Sequence, residues 1–600
     1  MNAMTAPSAV STSAADTGRP VPLGLTIEDL VVGAMRMVRV DGRRLVVVRT
    51  ATGAYALDAA CPHEGYGLTQ GELSGDVLTC AWHNWKFDVT SGSCLLGEEA
   101  VQSHDVVVGD DGALAVVLAR EDPDVTRPRL LTSLRDGLAN QRVGQMSRDV
   151  VRLLRADANP GELVWEAVSY GAPRAEFGWG HSIASATDCI AMIDLYEGDQ
   201  RALPIVQALA GVAETERRRP VNPLPARASD VPVDAEREFR ALVQAERLED
   251  AQALVLGALH RGDDAATLRR WFTSAVSDHH LSYGHAAIYA QKAFQLLEAI
   301  GWDRAETVLA HLVPSIVYGT REDNLPYMRP FTKVLGALDL ATLADVAVDP
   351  HWRDDGALRT ALLADGDRAG PVRAAVDALT QGAGIDGVLD AVSLAVSERM
   401  LRYDTDGEFD FHDDFGWLDI THGLTYANAA RWHAADRQDP DVVRLAMWCV
   451  FQAHWTGRHE WHSTIGETRD AELPPVPAAT HQPTHAADRS GAVAARAGCS
   501  GAAGCSGAAD GTSPAGGGRL QRQGEALQRR ALDDGTAAAI VHAHAVKTTR
   551  AAALESVTTG SDLPLRAAAR FLDAPKLERF VAATVTRSID FVAGRTPRPD

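Results

Sequence analysis

Two short clusters of cysteine and histidine constrain this chain more than any other feature. The first cluster reads Cys61-Pro62-His63, and after sixteen further residues the second reads Cys80-Ala81-Trp82-His83. Thiolate and imidazole groups are common ligands of transition metals. Two such clusters, each on a loop between strands, can converge on one inorganic centre. The fold is therefore expected to bring the two loops to one point.

The residues around the two clusters carry a β pattern. From residue 23 to about residue 119, short runs rich in Val and Leu, such as Leu45-Val46-Val47-Val48, alternate with turn residues. Asp41-Gly42 and Asp111-Gly112 lie between such runs and predict hairpin turns. We therefore expect a small all-β domain over residues 22–120.

The paired clusters resemble those of the Rieske [2Fe-2S] family, in which two cysteinates bind one iron and two imidazoles bind the other. This resemblance implies that the protein carries a [2Fe-2S] cluster. It further implies that Cys61 and Cys80 are the thiolate ligands, and that His63 and His83 are the nitrogen ligands.

The same four residues could also form a tetrahedral zinc site, because Cys₂His₂ is a common zinc ligand set. Zinc fingers usually place the two cysteines together and then the two histidines, whereas here each cluster contributes one of each. The continuation through Trp85, Phe87, Asp88 and Gly92 is typical of the second Rieske cluster. These details favour iron–sulfur over zinc.

Departures from the respiratory Rieske proteins predict a low reduction potential. Those proteins join their two loops by a disulfide, at positions that are Tyr66 and Trp82 here. Their Ser and Tyr hydroxyls, which hydrogen-bond to the cluster, correspond to Trp85 and Phe87. With fewer such hydrogen bonds, the reduced cluster is less stabilised.

Asn84 stands where many relatives have glycine, so the conformation of the local turn is in question.

The rest of the chain has helical patterning and an excess of histidine. Apolar residues recur every three or four positions, for example over residues 234–260 and 286–313. Residues 470–518 are rich in Pro and then in Gly, Ala and Ser, which predicts disorder. The predicted fold class is multidomain α+β, with this order: a flexible tail (1–21), the all-β domain (22–120), a mostly α-helical, His-rich domain (121–469), a disordered linker or insertion (470–518), and a helical C-terminal part that packs on the helical domain (519–600).

Charge and cysteine usage restrict the partners and the compartment. The chain has 80 acidic and 58 basic residues, a net charge of −22, which disfavours binding to nucleic acid or to an anionic membrane. No apolar run is long enough for a transmembrane helix. Seven scattered cysteines indicate a reducing, cytoplasmic location.

Dinucleotide-binding and phosphate-loop motifs are absent from the sequence, so we expect electrons to come from a separate NAD(P)H-dependent reductase or a ferredoxin.

One histidine pair partly matches the iron site of Rieske oxygenases, which follows an Asp-x-x-His-x(4)-His pattern. His280 and His285 have this spacing, but Asp278 stands two residues before His280 rather than three. The segment also has the pattern of a continuous helix, in which positions five apart point about 140° away from each other. We therefore do not expect the usual oxygenase fold here.

The helical region resembles the questin oxidase-like family, which comprises helical, His-rich oxygenases that act on aromatic polyketides by Baeyer–Villiger-type oxidation. The resemblance rests on Asp278–Ala286, Thr421–Asn428 and Ala543–Thr549. Candidate catalytic residues are His280, His285 and His422, which would also bind an additional iron if the domain holds one. His544 and Lys547, one turn apart, would face the same cavity. Any single histidine could instead be an ordinary core residue, as could others in helical segments, such as His181.

Together these features predict a Rieske iron–sulfur oxidoreductase. Its cluster would pass single electrons to an oxygen-dependent oxidation, such as a monooxygenase reaction, in or near the helical domain. Trp448, Trp455 and Trp461 could line a pocket for a small apolar or aromatic substrate, or could be core residues. The alternative is a ferredoxin-like electron carrier or a redox sensor, with the helical region as a docking scaffold.

Overall fold

The computed structural model describes residues 19–63, 65–97, 99–119, 123–405, 408, 416–435, 437–459, 514–533 and 538–576. Most of the predicted flexible tail, and the predicted disordered segment up to residue 513, lie outside these residues. The chain divides into two compact units. The first comprises Met1–Leu134 with Arg142–Asp157, and the second comprises Arg135–Gln141 with Ala158–Asp600.

The first unit contains two antiparallel sheets. Its strands are β1 (Val21–Thr26), β2 (Met35–Val40), β3 (Arg43–Arg49), β4 (Ala54–Asp58), β5 (Glu72–Ser74), β6 (Val77–Thr79), β7 (Lys86–Asp88), β8 (Cys94–Leu96), β9 (Ser103–Val108) and β10 (Ala113–Val117). The larger sheet has the order β1-β10-β9-β4-β3-β2, and the smaller has the order β5-β6-β7-β8. The predicted hairpin turns are confirmed, because Asp41-Gly42 joins β2 to β3 and Asp111-Gly112 lies between β9 and β10.

Strand β3 is buried on both faces and supplies two cores. Leu45 and Val47 pack into one core, while Val46 and Val48 pack into the other. Successive side chains of a strand point to opposite faces, which explains the uninterrupted apolar run. The second core also contains Cys61 and Cys80, so the two predicted ligand loops are anchored in it.

The remaining described chain is helical, as the sequence predicts. The helices are α1 (Pro123–Asn140), α2 (Val143–Arg155), α3 (Pro160–Gly171), α4 (His181–Met192), α5 (Ala202–Glu216), α6 (Ala235–Gln244), α7 (Leu248–Arg261), α8 (Ala265–Ser277), α9 (His285–Ile300), α10 (Ala305–Val317), α11 (Arg329–Leu335), α12 (Leu340–Ala344), α13 (Ala357–Leu363), α14 (Gly370–Thr380), α15 (Gly384–Arg402), α16 (Trp417–Ala434), α17 (Pro440–Trp455), α18 (Pro514–Leu532), α19 (Ala539–Thr559) and α20 (Leu563–Asp573). Helix α18 begins inside the last residues of the predicted disordered segment. None of the helices described is both long enough and apolar enough to cross a membrane.

Helix boundaries differ from the sequence prediction in one important place. The segment before His285 is not α-helical, because α8 ends at Ser277 and α9 begins at His285. Between them, Ser282, Tyr283 and Gly284 all have left-handed backbone angles, with φ of 48°, 57° and 88°. Apolar spacing continues across such a short turn, so periodicity alone does not locate the break.

Four helices of the second unit form a closed ring of contacts. Helix α4 packs against α9, α9 against α16, α16 against α19, and α19 against α4. Helix α19 lies C-terminal to the predicted disordered segment, so the last part of the chain completes this group. The ring brings together side chains that are far apart in the sequence.

Candidate functional site

Two loops of the first unit carry the Cys/His clusters. The first loop lies between β4 and β5, and the second lies between β6 and β7. The backbone N–H of Cys61 donates to the carbonyl of Tyr66 at 2.7 Å, and that of Cys80 donates to the carbonyl of Trp85 at 2.8 Å. Each cysteine therefore opens a closed turn that holds the histidine following it. Asn84 adopts φ +59°, a conformation that asparagine tolerates better than most residues.

The four side chains meet with the sulfur atoms inside and the imidazoles outside. Cys61 and Cys80 are each 2% exposed, whereas His63 is half-buried and His83 is exposed. The two Nδ1 atoms of the histidines lie 3.0 Å apart. Burial raises the pKa of the Cys61 thiol to about 11, which disfavours the free thiolate. A bound metal cation would reverse this effect, because thiols that coordinate a metal are deprotonated. Two thiols and two facing imidazole nitrogens fit a centre with S₂N₂ ligation.

An aromatic pair connects the two loops. Tyr66 and Trp82 stack with ring centroids 4.5 Å apart and an interplanar angle of 17°. These are the positions at which respiratory Rieske proteins carry their disulfide. The loops are therefore held together here by stacking, which is worth about 0.5–1.5 kcal/mol beyond the buried area.

The same four residues could form an iron–sulfur site or a zinc site, and a comparison with protein families decides between these two possibilities. Residues 24–108 match the model of the Rieske [2Fe-2S] domain. Residues 24–108 are a Rieske domain. The domain binds a [2Fe-2S] cluster, so the iron–sulfur prediction is confirmed and the zinc alternative is wrong.

Individual relatives match short stretches of the chain. Cholesterol 7-desaturase of Hemicentrotus pulcherrimus is 38% identical over 77 residues, which are 12% of this chain and 16% of that protein. The ferredoxin component of the alkene monooxygenase system of Xanthobacter autotrophicus is 34% identical over 67 residues, which are 11% of this chain and 55% of that protein. The solved ferredoxin of carbazole 1,9a-dioxygenase from Nocardioides aromaticivorans aligns at 29% identity over 17% of this chain and 98% of its own, with a TM-score of 0.16. The chain thus spans only 16% and 55% of the first two relatives.

A second group of functional side chains lies outside the Rieske domain, inside the ring of α4, α9, α16 and α19. Each helix contributes one histidine: His181, His285, His422 and His544. One ring nitrogen from each lies within 4.8 Å of the other three. The Nε2 atoms of His181 and His285 are 3.0 Å apart, and those of His422 and His544 are 3.1 Å apart. We call these residues the histidine quartet.

Hydrogen bonds orient two of these rings. Nδ1 of His544 donates to the carbonyl of Ile540 at 2.8 Å, and this leaves Nε2 with its lone pair directed into the quartet. Nδ1 of His181 lies 3.3 Å from the hydroxyl of Tyr289. Histidines that ligate metals are usually held in this way through the other ring nitrogen.

The quartet is electrically neutral around neutral pH. Burial lowers the pKa of every one of its imidazoles, that of His285 to about 3, and the positive charge of Lys547 adds to the effect. Burial also lowers the pKa of Lys547 to about 7. This side chain is 1% exposed, and its Nζ has no hydrogen-bond partner within the described part of the chain. Neutral imidazole is the form that binds metal ions.

The structure unites two of the three predicted catalytic histidines. His285 and His422 belong to the quartet, whereas His280 does not. Nδ1 of His280 lies 2.6 Å from Oε2 of Glu322, and the ring is fully buried. His280 and His285 lie on either side of the turn at residues 282–284, and their imidazoles enter different surroundings. His181 is one of several helical histidines in the sequence, and nothing in its neighbourhood marks it as a ligand.

The predicted substrate pocket around the tryptophans is only partly apolar. Trp448 and Trp455 are buried, and Trp461 lies outside the described residues. Trp448 lines a cavity of about 300 Å³. Asp278, Asp323 and Arg444 also line this cavity, so charged groups form part of its wall.

Proposed function

We propose that this protein is an oxidoreductase in which the Rieske domain supplies single electrons to an oxygen-dependent oxidation in the helical unit. The site of that oxidation would be an iron ion bound by the histidine quartet. The observation that carries the proposal is the convergence of four neutral imidazoles from four helices within 4.8 Å. A chance cluster of core histidines would satisfy its ring nitrogens with the surrounding protein rather than directing them at one another.

The [2Fe-2S] cluster would be held by Cys61, His63, Cys80 and His83, and when bound it supplies one-electron transfer. The two cysteines anchor the loops in the core of the Rieske domain. The two histidines form its outer side, where His83 is exposed. An electron partner can therefore approach the imidazole side without opening the fold.

The donor set of the quartet narrows the choice of metal. Imidazole ligands suit Zn, Cu, Fe and Ni ions. A one-electron donor in the same chain favours a metal with accessible one-electron chemistry, which excludes zinc. Iron is the proposal because the same protein must already acquire iron for its cluster.

Side chains around the quartet would control protons and water. The ring of Tyr283 stacks on that of His422 with centroids 6.0 Å apart, which covers one side of the quartet. Lys547 lies one turn after His544 and is uncharged over much of the range above pH 7, since its pKa is about 7. Its Nζ can therefore accept a proton during an oxidation and release it afterwards.

The electron donor would be a separate NAD(P)H-dependent reductase or a ferredoxin, because the sequence lacks a dinucleotide-binding fingerprint. The substrate class follows from the questin oxidase-like resemblance, which suggests an apolar aromatic compound. We expect that NADH alone leaves the cluster oxidised, and that NADH with an added reductase bleaches it.

Metal analysis of the full chain tests the proposed second site. We expect two irons and two sulfides from the cluster, as in any [2Fe-2S] centre, plus about one further iron. His422→Ala and His544→Ala should lose the further iron and keep the cluster absorbance. His433→Gln is the matched control, because His433 is buried in the same helix as His422 but binds Thr273 and the carbonyl of Ala287. Only two irons in the wild type would favour the electron carrier or redox sensor instead.

A further inference from the structure

Helix α2 belongs to the same compact unit as the Rieske domain and directs two arginines at one buried carboxylate. Arg148 donates from Nε and Nη2 to Oε2 of Glu99, at 2.9 and 2.8 Å. Arg152, one turn later, donates from Nη1 to Oε1 of Glu99. Glu99 is 8% exposed. Charge-assisted pairs of this kind are short, directional and about twice as strong as neutral hydrogen bonds.

Arg148 also contacts a cluster loop. Its remaining nitrogen, Nη1, donates to the backbone carbonyl of His63 at 3.4 Å. Because Nε and Nη2 are occupied by Glu99, the guanidinium lies between that carboxylate and the His63 backbone. Its positive charge therefore faces the ligand loop. Arg152 shares Glu99 but makes no hydrogen bond to His63 among the described residues.

Trp85 also contacts His63, through the imidazole ring. The two rings stack at 4.8 Å with an interplanar angle of 24°. Trp85 in turn covers Gly97, where a Cβ atom would lie 2.5 Å from the indole. Glu99 follows Gly97 by two positions in the sequence, so Trp85 and Arg148 each contact both His63 and this short stretch of chain.

These contacts affect the reduction potential of the cluster. Reduction adds one negative charge to a [2Fe-2S] centre, and a fixed positive charge near a ligand stabilises that form. Trp85 and Phe87 occupy the positions of the hydroxyl donors of the respiratory proteins and supply no hydroxyl. A guanidinium in contact with the His63 backbone would provide part of the missing stabilisation from outside the strands of the domain.

We propose that Arg148 is a positioning residue for the [2Fe-2S] cluster. Held in place by Glu99, it fixes the backbone of the ligand loop at His63 and raises the reduction potential of the cluster. Helix α2, which follows the Rieske strands in the chain, thereby acts as a second support for the redox centre. This inference does not depend on the histidine quartet.

Redox titration of the full-length protein, followed by EPR of the reduced cluster, tests the proposal. Arg148→Gln should retain the cluster and shift its midpoint potential to more negative values. Arg148→Lys keeps the positive charge but loses the planar guanidinium that binds Glu99 and His63 together. Its midpoint potential should shift by less than that of Arg148→Gln. Arg152→Gln is the matched control, since it removes a cation from Glu99 without removing the contact to His63, and its shift should be the smallest.

The proposal is overturned if Arg148→Gln has the wild-type potential, or if its shift is no larger than that of Arg152→Gln. Iron and sulfide analysis of each variant shows whether the cluster is present. Should Arg148→Gln fail to retain it, the decision rests on Arg148→Lys. A potential between those of Arg152→Gln and the wild type would then contradict the proposal, and a potential below that of Arg152→Gln would support it.

Discussion

Cys80 and Cys94 lie in the same part of the Rieske domain, but only Cys80 belongs to the predicted ligand set. Cys80 is buried at the start of the second loop, and its N–H is bound within that loop. Cys94 begins β8 and packs against the edge of the same core. In the sequence, the spacing to the neighbouring histidine distinguishes the two.

Substitution of these two cysteines by serine should therefore have opposite results. Cys80→Ser removes a thiolate ligand, so we expect loss of the visible iron–sulfur absorbance and of acid-labile sulfide. Cys94→Ser should keep both, because Cys94 lies outside the predicted ligand set. Retention of the absorbance in Cys80→Ser would contradict the ligand assignment.

His433 shows that a buried histidine need not be a ligand. It is fully buried in α16 and its ring nitrogens bind Thr273 Oγ1 at 2.7 Å and the carbonyl of Ala287 at 3.0 Å. Burial lowers its pKa to about 3, whereas the unfolded imidazole titrates near ~6.5. Between these values the unfolded state binds the extra proton, so the free energy of unfolding falls as pH falls.

This difference predicts a pH-dependent contribution to stability. From pH 7 to pH 5, His433 should account for a loss of about 2 kcal/mol in the free energy of unfolding of the helical unit. Urea unfolding of wild type and His433→Gln, followed by circular dichroism, measures this loss. The difference in free energy of unfolding between the two proteins should narrow as the pH falls. The gap should be constant from pH 7 to pH 8. A constant gap down to pH 5 would show that His433 is protonated in the folded protein.

At the level of elements, the turn before α9 determines where His285 lies. Tyr283 N–H donates to Oε1 of Glu322 at 3.2 Å, and Ser282 N–H donates to the carbonyl of Thr320 at 2.9 Å. These bonds stabilise left-handed conformations that cost non-glycine residues about 1–3 kcal/mol each. Gly284 completes the turn beneath the ring of Tyr426, where a Cβ atom would lie 2.4 Å from the ring.

Gly284→Ala should therefore displace the start of α9. We expect a loss of about 3 kcal/mol or more in the stability of the helical unit, from the left-handed backbone and the overlap with Tyr426. We also expect a loss of the additional iron. Gly262→Ala is the matched control, since Gly262 has φ +90° but a Cβ atom added there would meet nothing within 4 Å among the described residues. It should cost only about 1–2 kcal/mol and keep the iron. Equal effects would mean that the turn does not position His285.

The elements are predictable to different degrees. Strand β3 and the turns at Asp41-Gly42 and Asp111-Gly112 follow from local patterns, because residue type and backbone conformation are linked over a few positions. The turn at Ser282 and Tyr283 does not, since neither residue prefers a positive φ and the apolar spacing runs through it. Its conformation depends on Glu322 and Thr320, which lie on another segment.

At the scale of the whole molecule, the proposed cluster site and the histidine quartet differ in how far apart their residues lie in the sequence. The predicted cluster ligands lie between residues 61 and 83, so their spacing alone points to this type of site. The quartet extends from His181 to His544 and depends on the packing of four helices, which spacing does not encode. The questin oxidase-like resemblance alone identifies His285, His422 and His544 as residues of one cavity, and it also includes His280, which pairs with Glu322. The kinship with the questin oxidase-like family stays a prediction.

Oxidation of the reduced cluster by oxygen tests the central claim most directly. The full-length protein, reduced with one electron per cluster and freed of reductant, is mixed with oxygenated buffer, and the cluster absorbance is followed by stopped flow. If electrons pass from the cluster to a metal in the quartet, His422→Ala and His544→Ala should slow reoxidation by about tenfold or more, equivalent to ~1.4 kcal/mol in activation free energy, while His433→Gln should not. Equal rates in all four proteins would contradict the account.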